Sequence, residues 1–330
     1  MRRKESASAR KPEARGLMLG GLGVLAFSLT LPATKAAEPA FGAVTVGIGR
    51  AVLAAGLAAL VLLIRREALI VPKLVPRLAL VVVGVVIGFP LLTTFALRSV
   101  DSAHAAILSG LLPVATAGMA VLRAGERPRR QYWLALSAAI AAVLVFAAVQ
   151  GAGRPQLADL YVLAAVVLAG LGYAEGGALA RTYGGWKVIC WALVLAAPVL
   201  VPVTVAGLLL HPPREVTAAA WLGLGYVAAV SMFLGFFAWY AGLARGGVAR
   251  VGRLQIAQPA LTLGWSALLL GEQISLATGL AAIVVLASVA VGRNARVDRD
   301  PGLLAPPVRT SRKADCVGQR RRRWPFRPRC

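Results

Sequence analysis

Residues 97–126 read LRSVDSAHAAILSGLLPVATAGMAVLRAGE, and residues 243–272 read LARGGVARVGRLQIAQPALTLGWSALLLGE. The two align without a gap at a constant offset. Leu97 falls on Leu243, Ala103 on Ala249, Leu108 on Leu254, Pro113 on Pro259, and Gly125-Glu126 on Gly271-Glu272. Each is a short polar break, an apolar helix with a proline in its middle, and a Gly-Glu stop. Two such segments in register, each followed by another apolar run, indicate an internal duplication.

The rest of the chain sets the environment of that duplication. Of 330 residues, 58% are hydrophobic and 15% charged, which is too apolar for a soluble domain of this size and points to a polytopic membrane protein. The formal charge of +23 would suit a nucleic-acid partner only if the basic residues formed one surface. They lie instead at the termini and in alternate loops, the pattern that orients a membrane protein, so no nucleic acid is expected. Three cysteines, Cys190, Cys316 and Cys330, form no Cys-x-x-Cys or Cys/His cluster, so neither a disulfide framework nor a metal site is expected. No phosphate loop, HExxH or nucleophile elbow occurs, and no cofactor is implied.

Apolar runs lie at about 16–33, 42–64, 76–97, 102–122, 131–150, 157–180, 186–209, 218–243, 247–270 and 274–292. Each is near the roughly 20 residues a bilayer requires. The first run, with small residues at Ala33–Ala37, loosely resembles a signal peptide but is read as a membrane span. With the N-terminus placed in the cytoplasm, the cytoplasmic loops collect Arg65, Arg66, Lys73, Arg77, Arg123, Arg127, Arg129, Arg130, Arg181, Lys187, Arg245, Arg250 and Arg253. The opposite loops collect only Lys35, Arg98, Arg154 and Arg214. Both termini are therefore predicted to be cytoplasmic, in the cell (inner) membrane.

The predicted fold is an all-α integral membrane protein of ten transmembrane helices in two inverted five-helix repeats, because an odd number of spans per half reverses the second copy. The divisions are a basic N-terminus (1–15), a first repeat (16–150), a second repeat (157–292) and a basic tail (293–330). The tail reads as solvated and disordered, with contact of Arg320–Arg323 and Trp324 to anionic lipid headgroups as the sharper alternative.

The halves resemble two copies of the EamA domain of the drug/metabolite transporter superfamily. The resemblance rests on the proline and terminal glutamate of the fourth and ninth spans (Pro113/Glu126 and Pro259/Glu272), on Arg50 in GIGRAVLAAGL, and on GGWKVICWALVLAAP in the seventh span. Trp191 stands in the second half where Arg50 stands in the first, which departs from a strict repeat. The resemblance implies a ten-helix permease for small metabolites or drugs, often an exporter.

Charged and polar groups inside spans are the candidate machinery, since a buried charge costs about 2.5–3.5 kcal/mol on insertion scales. Arg50 is either a site for an anionic or carboxylate group or a structural arginine that snorkels or braces helix ends. Glu175, in GLGYAEGGALA, is a candidate coupling residue, or else pairs with Arg181 or Lys187. Tyr173 is within reach of it. Gln255, Gln258, Thr262 and Ser266 share one face of the ninth span and either line a cavity or bond neighbouring helices. Tyr240, with Trp239, Thr93 and Thr94, falls late in its span, where it belongs to an interfacial belt or contacts substrate. Pro113 and Pro259 are expected to kink their helices and free a carbonyl. Glu126 and Glu272 read as structural, and the Gly16–Gly20 spacing permits close packing.

The expected function is a secondary active transporter exporting amino acids, metabolites or drugs by alternating access, not an enzyme. Its partners are a small-molecule substrate and the bilayer, with a homodimer left open. The rival readings are a non-transporting scaffold that binds partners and, behind it, a membrane enzyme on a hydrophobic substrate. Only His104 and His211 and no acid pair are available to such an enzyme.

Overall fold

A computed structural model of the chain describes residues 2–67, 70, 72–124, 126–128, 134, 137, 138, 141, 145, 156–291 and 297–299. Seven helices among them are long and apolar enough to cross a membrane. They are α1 (Ala14–Phe41), α2 (Thr45–Ile64), α3 (Pro72–Ala96), α4 (Ser102–Leu122), α5 (Leu157–Tyr183), α6 (Gly185–Leu210) and α7 (Ala218–Gly246). Two more follow. α8 runs in three pieces, Val248–Gly252, Arg253–Ile256 and Ala257–Leu270, and α9 spans Leu276–Val291. The fifth span expected from the sequence (131–150) lies, apart from isolated positions, outside the described residues, as does the tail beyond 299. Thus α5 to α9 take up the expected sixth to tenth spans.

The burial pattern is inverted relative to a water-soluble protein. Leu63, Leu209, Leu222, Leu268 and Leu276 are each more than two-thirds exposed, while Arg50, Thr93, Glu175, Gln255 and Ser266 are buried. Apolar side chains facing outward and polar ones facing inward suit a lipid surround, in which a lone polar group has no partner.

The packing is symmetric under exchange of α1–α4 with α5–α8. α1 packs on α7 as α5 packs on α3, α4 packs on α5 as α8 packs on α1, and α2 packs on α7 as α6 packs on α3. The pairs α2–α6 and α4–α8 exchange into themselves. Glycines permit the closest crossings. A Cβ on Gly16 of α1 would lie 2.7 Å from the Gly246 nitrogen of α7, and one on Gly84 of α3 would lie 2.6 Å from the Leu168 oxygen of α5.

Irregular helix turns recur in register as well. The offset that carries Leu97 onto Leu243 carries the π-helical turns Val82–Gly88 of α3 onto the last seven residues of Tyr226–Leu234 in α7. It also carries the break in α4, at Gly110–Leu111, to the junction of 3-10 and α-helix in α8 at Ile256–Ala257. Pro113 and Pro259 therefore sit in the first turn of a restarted helix, where a missing N–H is tolerated. The irregular turn in each helix thus lies just before its proline.

Helix ends sort onto two faces. The start of α1 meets the end of α7 at Gly16–Gly246. Lys187 at the start of α6 pairs with Glu67 after α2 at 2.7 Å. Arg77 at the start of α3 pairs with Glu175 late in α5. This face, the basic face of the bundle, gathers Arg65, Arg181, Lys187 and Arg245. A short antiparallel ladder, β1 (Glu126–Pro128) with β2 (Val297–Arg299), joins the chain after α4 to the chain after α9. It is the departure from an all-α fold among the described residues. The residue before a proline disfavours helix, as Arg127 does before Pro128, so extended backbone is natural there.

Candidate functional site

Arg50 is the first residue of regular helix after the wider π turns of Thr45–Gly49. Its side chain is only 1% exposed. Nη1 donates to Thr34 Oγ1 of α1 at 3.3 Å. Nε and Nη2 are buried without a hydrogen-bond partner. A guanidinium carries five donors in a fixed fork, and leaving a buried charge half-satisfied is costly. The structural alternative, an arginine snorkelling to the rim, does not describe this placement.

Arg50 faces a cavity enclosed by both halves. Thr30 of α1, Pro90 of α3 and Tyr173 of α5 line it with Ser231 and Phe236 of α7 and Gln258 of α8. Val85, also lining it, is carried onto Ser231 by the repeat offset, and Pro90 onto Phe236. The free volume is about 20 Å³, room for roughly one water molecule. The cavity is thus narrow, with little room around its polar groups. Gln258 Oε1 is buried without a partner, while Thr30 and Ser231 hydroxyls bond each other at 2.8 Å.

Between this cavity and the basic face lies an aromatic plug. The Phe27 ring stands 5.0 Å from Phe236 and 6.0 Å from Trp239, and Tyr173 stands 5.2 Å from Trp239. Tilted and edge-on pairs at these separations are favourable and exclude water. Behind the plug, the buried Glu175 carboxylate is bonded by Arg77 Nε of α3. Of the two partners weighed from the sequence, Lys187 is held by Glu67. Arg181 lines an open vestibule on the basic face with Arg65 and Arg245, of about 680 Å³. A smaller recess of about 140 Å³ opens at the opposite face beside Glu38, Arg98 and His211.

The polar stripe of α8 divides. Gln258 reaches the cavity. Gln255 Oε1 accepts from the Thr116 hydroxyl of α4 at 3.1 Å, and the Thr262 hydroxyl donates to the Ser28 carbonyl of α1 at 2.6 Å. Ser266 Oγ lies 2.7 Å from Ser102 Oγ. Three of the four thus bond neighbouring helices. Tyr240 is fully buried and donates to the Gly172 carbonyl at 3.0 Å, its ring against Gly176, so it packs α7 on α5 beneath the cavity. Tyr173 lines the cavity; Glu175 does not. Thr93 and Thr94 bond carbonyls within their own helix.

The sequence reading did not single out Phe27, Thr30, Ser231 and Phe236, nor Arg77 as the partner of Glu175. A signal existed for two of them. Thr30 and Thr34 are four apart in an otherwise apolar run, and Ser231 is the repeat counterpart of Val85 in a helix where polar residues are scarce.

Comparison with known proteins agrees with this architecture. The model of the EamA-like transporter family matches twice, over residues 14–148 and 156–292. A Bacillus subtilis (strain 168) protein named "Uncharacterized transporter YdeK" is 44% identical over 281 residues, which cover 84% of this chain and 96% of the relative. A solved structure described as "Crystal structure of protein" superposes with a TM-score of 0.62 at 18% identity, covering 84% of this chain and 96% of its own, and so shares the fold. Matched in both halves, and aligned along nearly the whole of a relative, the chain belongs to the EamA-like transporter family and is a multi-pass membrane transporter.

Proposed function

We propose that the protein is a secondary active permease that exports small organic metabolites, with the amino-acid, metabolite and drug classes as its field of substrates. It has ten helices in two inverted halves that rock about the Arg50 cavity. One observation carries this reading. A half-satisfied guanidinium and an unpartnered amide oxygen line a narrow cavity to which both halves contribute counterpart residues. A scaffold has no use for such a site.

The concentration of basic residues on one face supports a cytoplasmic location for that face and for both termini. The β1–β2 pairing supports it too, since it sets the ends of α4 and α9 on the same side. Glu175 is the candidate coupling site: a proton can replace Arg77 as its counter-charge, loosening α3 from α5 below the aromatic plug. Alternating access then consists of parting that plug toward the cytoplasm while the opposite side closes.

The test is a retention assay in cells overproducing the protein, with labelled amino acids, metabolites and common drugs, with and without a proton gradient. A compound that falls only in the presence of the intact protein supports export. No change across the panel, with membrane insertion verified, overturns the exporter reading.

A further inference from the structure

Five of the described carboxylates inside the bundle and at its rims are already matched. Glu38 faces Arg98 at 3.6 Å, Glu67 faces Lys187 at 2.7 Å and Asp159 faces His104 at 2.6 Å. Glu175 holds Arg77, and Glu272 accepts three bonds from the start of α4. None of these carboxylates lines the central cavity. Arg50 therefore brings a positive charge into the cavity that no described carboxylate balances.

The remaining lining is neutral. It offers the hydroxyls of Thr30 and Ser231, the Gln258 amide, and the apolar surfaces of Phe27, Val85, Phe89, Met232 and Phe236. A ligand that brings net charge −1 leaves the loaded site neutral. A zwitterion carries its own cation and leaves the loaded site at +1, and a cation raises it to +2. In a desolvated site an uncompensated charge costs several kcal/mol. A carboxylate also fits the unpaired Nε and Nη2 edge of Arg50, which matches its two oxygens as a fork.

We infer that the substrate class is the organic monoanion: a carboxylate seated on the Nε–Nη2 edge of Arg50, carried on an apolar or aromatic body that packs against Phe27 and Phe236. Ammonium-bearing compounds, cationic and zwitterionic alike, are discriminated against. This rests on the Arg50 cavity being the transport site of the proposed permease. The cavity widens to admit the body, and the π-helical turns of α3 and α7 beside it are where the helices can give.

The experiment uses one molecular frame with three charges. Full-length protein is reconstituted in liposomes at pH 8, and exchange of labelled phenylacetate, L-phenylalanine and phenethylamine is followed against empty liposomes. Quenching of tryptophan fluorescence reports binding separately, since Trp239 belongs to the plug beneath the cavity. Phenylacetate is expected to exchange and bind at least ten-fold better than the other two. Arg50→Gln is expected to erase that order. Thr34→Val, which removes only the partner of Nη1, is expected to weaken phenylacetate while keeping the order, and it covers the case in which the Arg50 variant fails to insert.

Exchange of phenethylamine or phenylalanine equal to or faster than that of phenylacetate overturns the inference and leaves the permease standing. Quenching by chloride alone, with no preference among the three compounds, also overturns it. If neither these three nor any compound of the wider panel moves, the permease reading falls, and the inference falls with it.

Discussion

Glu272, the last residue of the repeated motif in the second half, closes the first turn of α4 in the first half. Its Oε1 accepts from the Ser102 N–H at 3.0 Å and from the Ser102 hydroxyl at 2.8 Å, and its Oε2 accepts from the Ala103 N–H at 2.9 Å. The opening N–H groups of a helix have no partner of their own, and a carboxylate there also opposes the positive end of the helix dipole. Glu272→Ala should lower the melting temperature of the detergent-solubilised protein, with a loss of about 1–3 kcal/mol. Glu272→Gln should lose less, about 1 kcal/mol, because one amide oxygen still accepts. An unchanged melting temperature in both variants would remove this carboxylate from the forces that hold α4 to α8.

Gly16 and Gly21 of α1 make a matched pair of substitutions. A Cβ at Gly16 would lie 2.7 Å from backbone of α7, whereas at Gly21 it would meet nothing within 4 Å. Gly16→Ala should destabilise by about 1–3 kcal/mol through forced separation of α1 and α7. Gly21→Ala should be neutral or slightly stabilising, since alanine favours helix by about 1 kcal/mol. Thermal melts of the two side by side decide it, and equal behaviour would mean that α1 and α7 do not cross at Gly16.

Gln258 and Thr262 are neighbours on one face of α8 with different roles. Gln258→Leu should raise KM for the transported compound with little change in melting temperature, because its amide faces the cavity. Thr262→Val should instead lower stability by about 1 kcal/mol by stranding the Ser28 carbonyl, and leave KM alone. The opposite split would exchange the two roles.

Glu175→Gln tests coupling. The variant keeps shape and loses the exchangeable charge, so gradient-driven flux should vanish while folding, insertion and substrate exchange at equilibrium persist. Full retained flux in the presence of the gradient would eliminate Glu175 as the coupling site. Arg77→Gln should act differently, since it removes the charge that bonds a buried carboxylate beside the plug, and a loss of stability of about 1–3 kcal/mol is expected in a thermal melt.

Much of this was legible from the sequence, and the reasons are specific. The Pro113 and Pro259 segments announced the duplication because a repeat in the fold must bury the same faces twice. Arg50 stood out because a guanidinium in an apolar run has few reasons to be there. The stripe Gln255–Ser266 gave its face correctly but not its use, since periodicity says which residues share a side and not which of them meets a neighbouring helix. Glu175 was visible and its partner was not. Arg77 lies almost a hundred residues away in sequence, and only the crossing of α3 and α5 brings the two together. The hydroxyls around Arg50 were faint for the same reason: Thr30 and Thr34 stand in α1 and Ser231 in α7, and only the packing of those helices gathers them.

The unmatched charge of Arg50 has one more consequence, and it concerns voltage. A charge held inside a bilayer lies within the transmembrane field, where a full crossing is worth about 2.3 kcal/mol per 100 mV. An empty carrier keeps that charge, whereas a carrier loaded with a monoanion is neutral at the site. In a cell whose interior is negative, the field then pulls the empty site toward the cytoplasm and leaves the loaded one indifferent. On the proposed reading, one arginine would both receive the substrate and return the vacant carrier to the side where the next one waits.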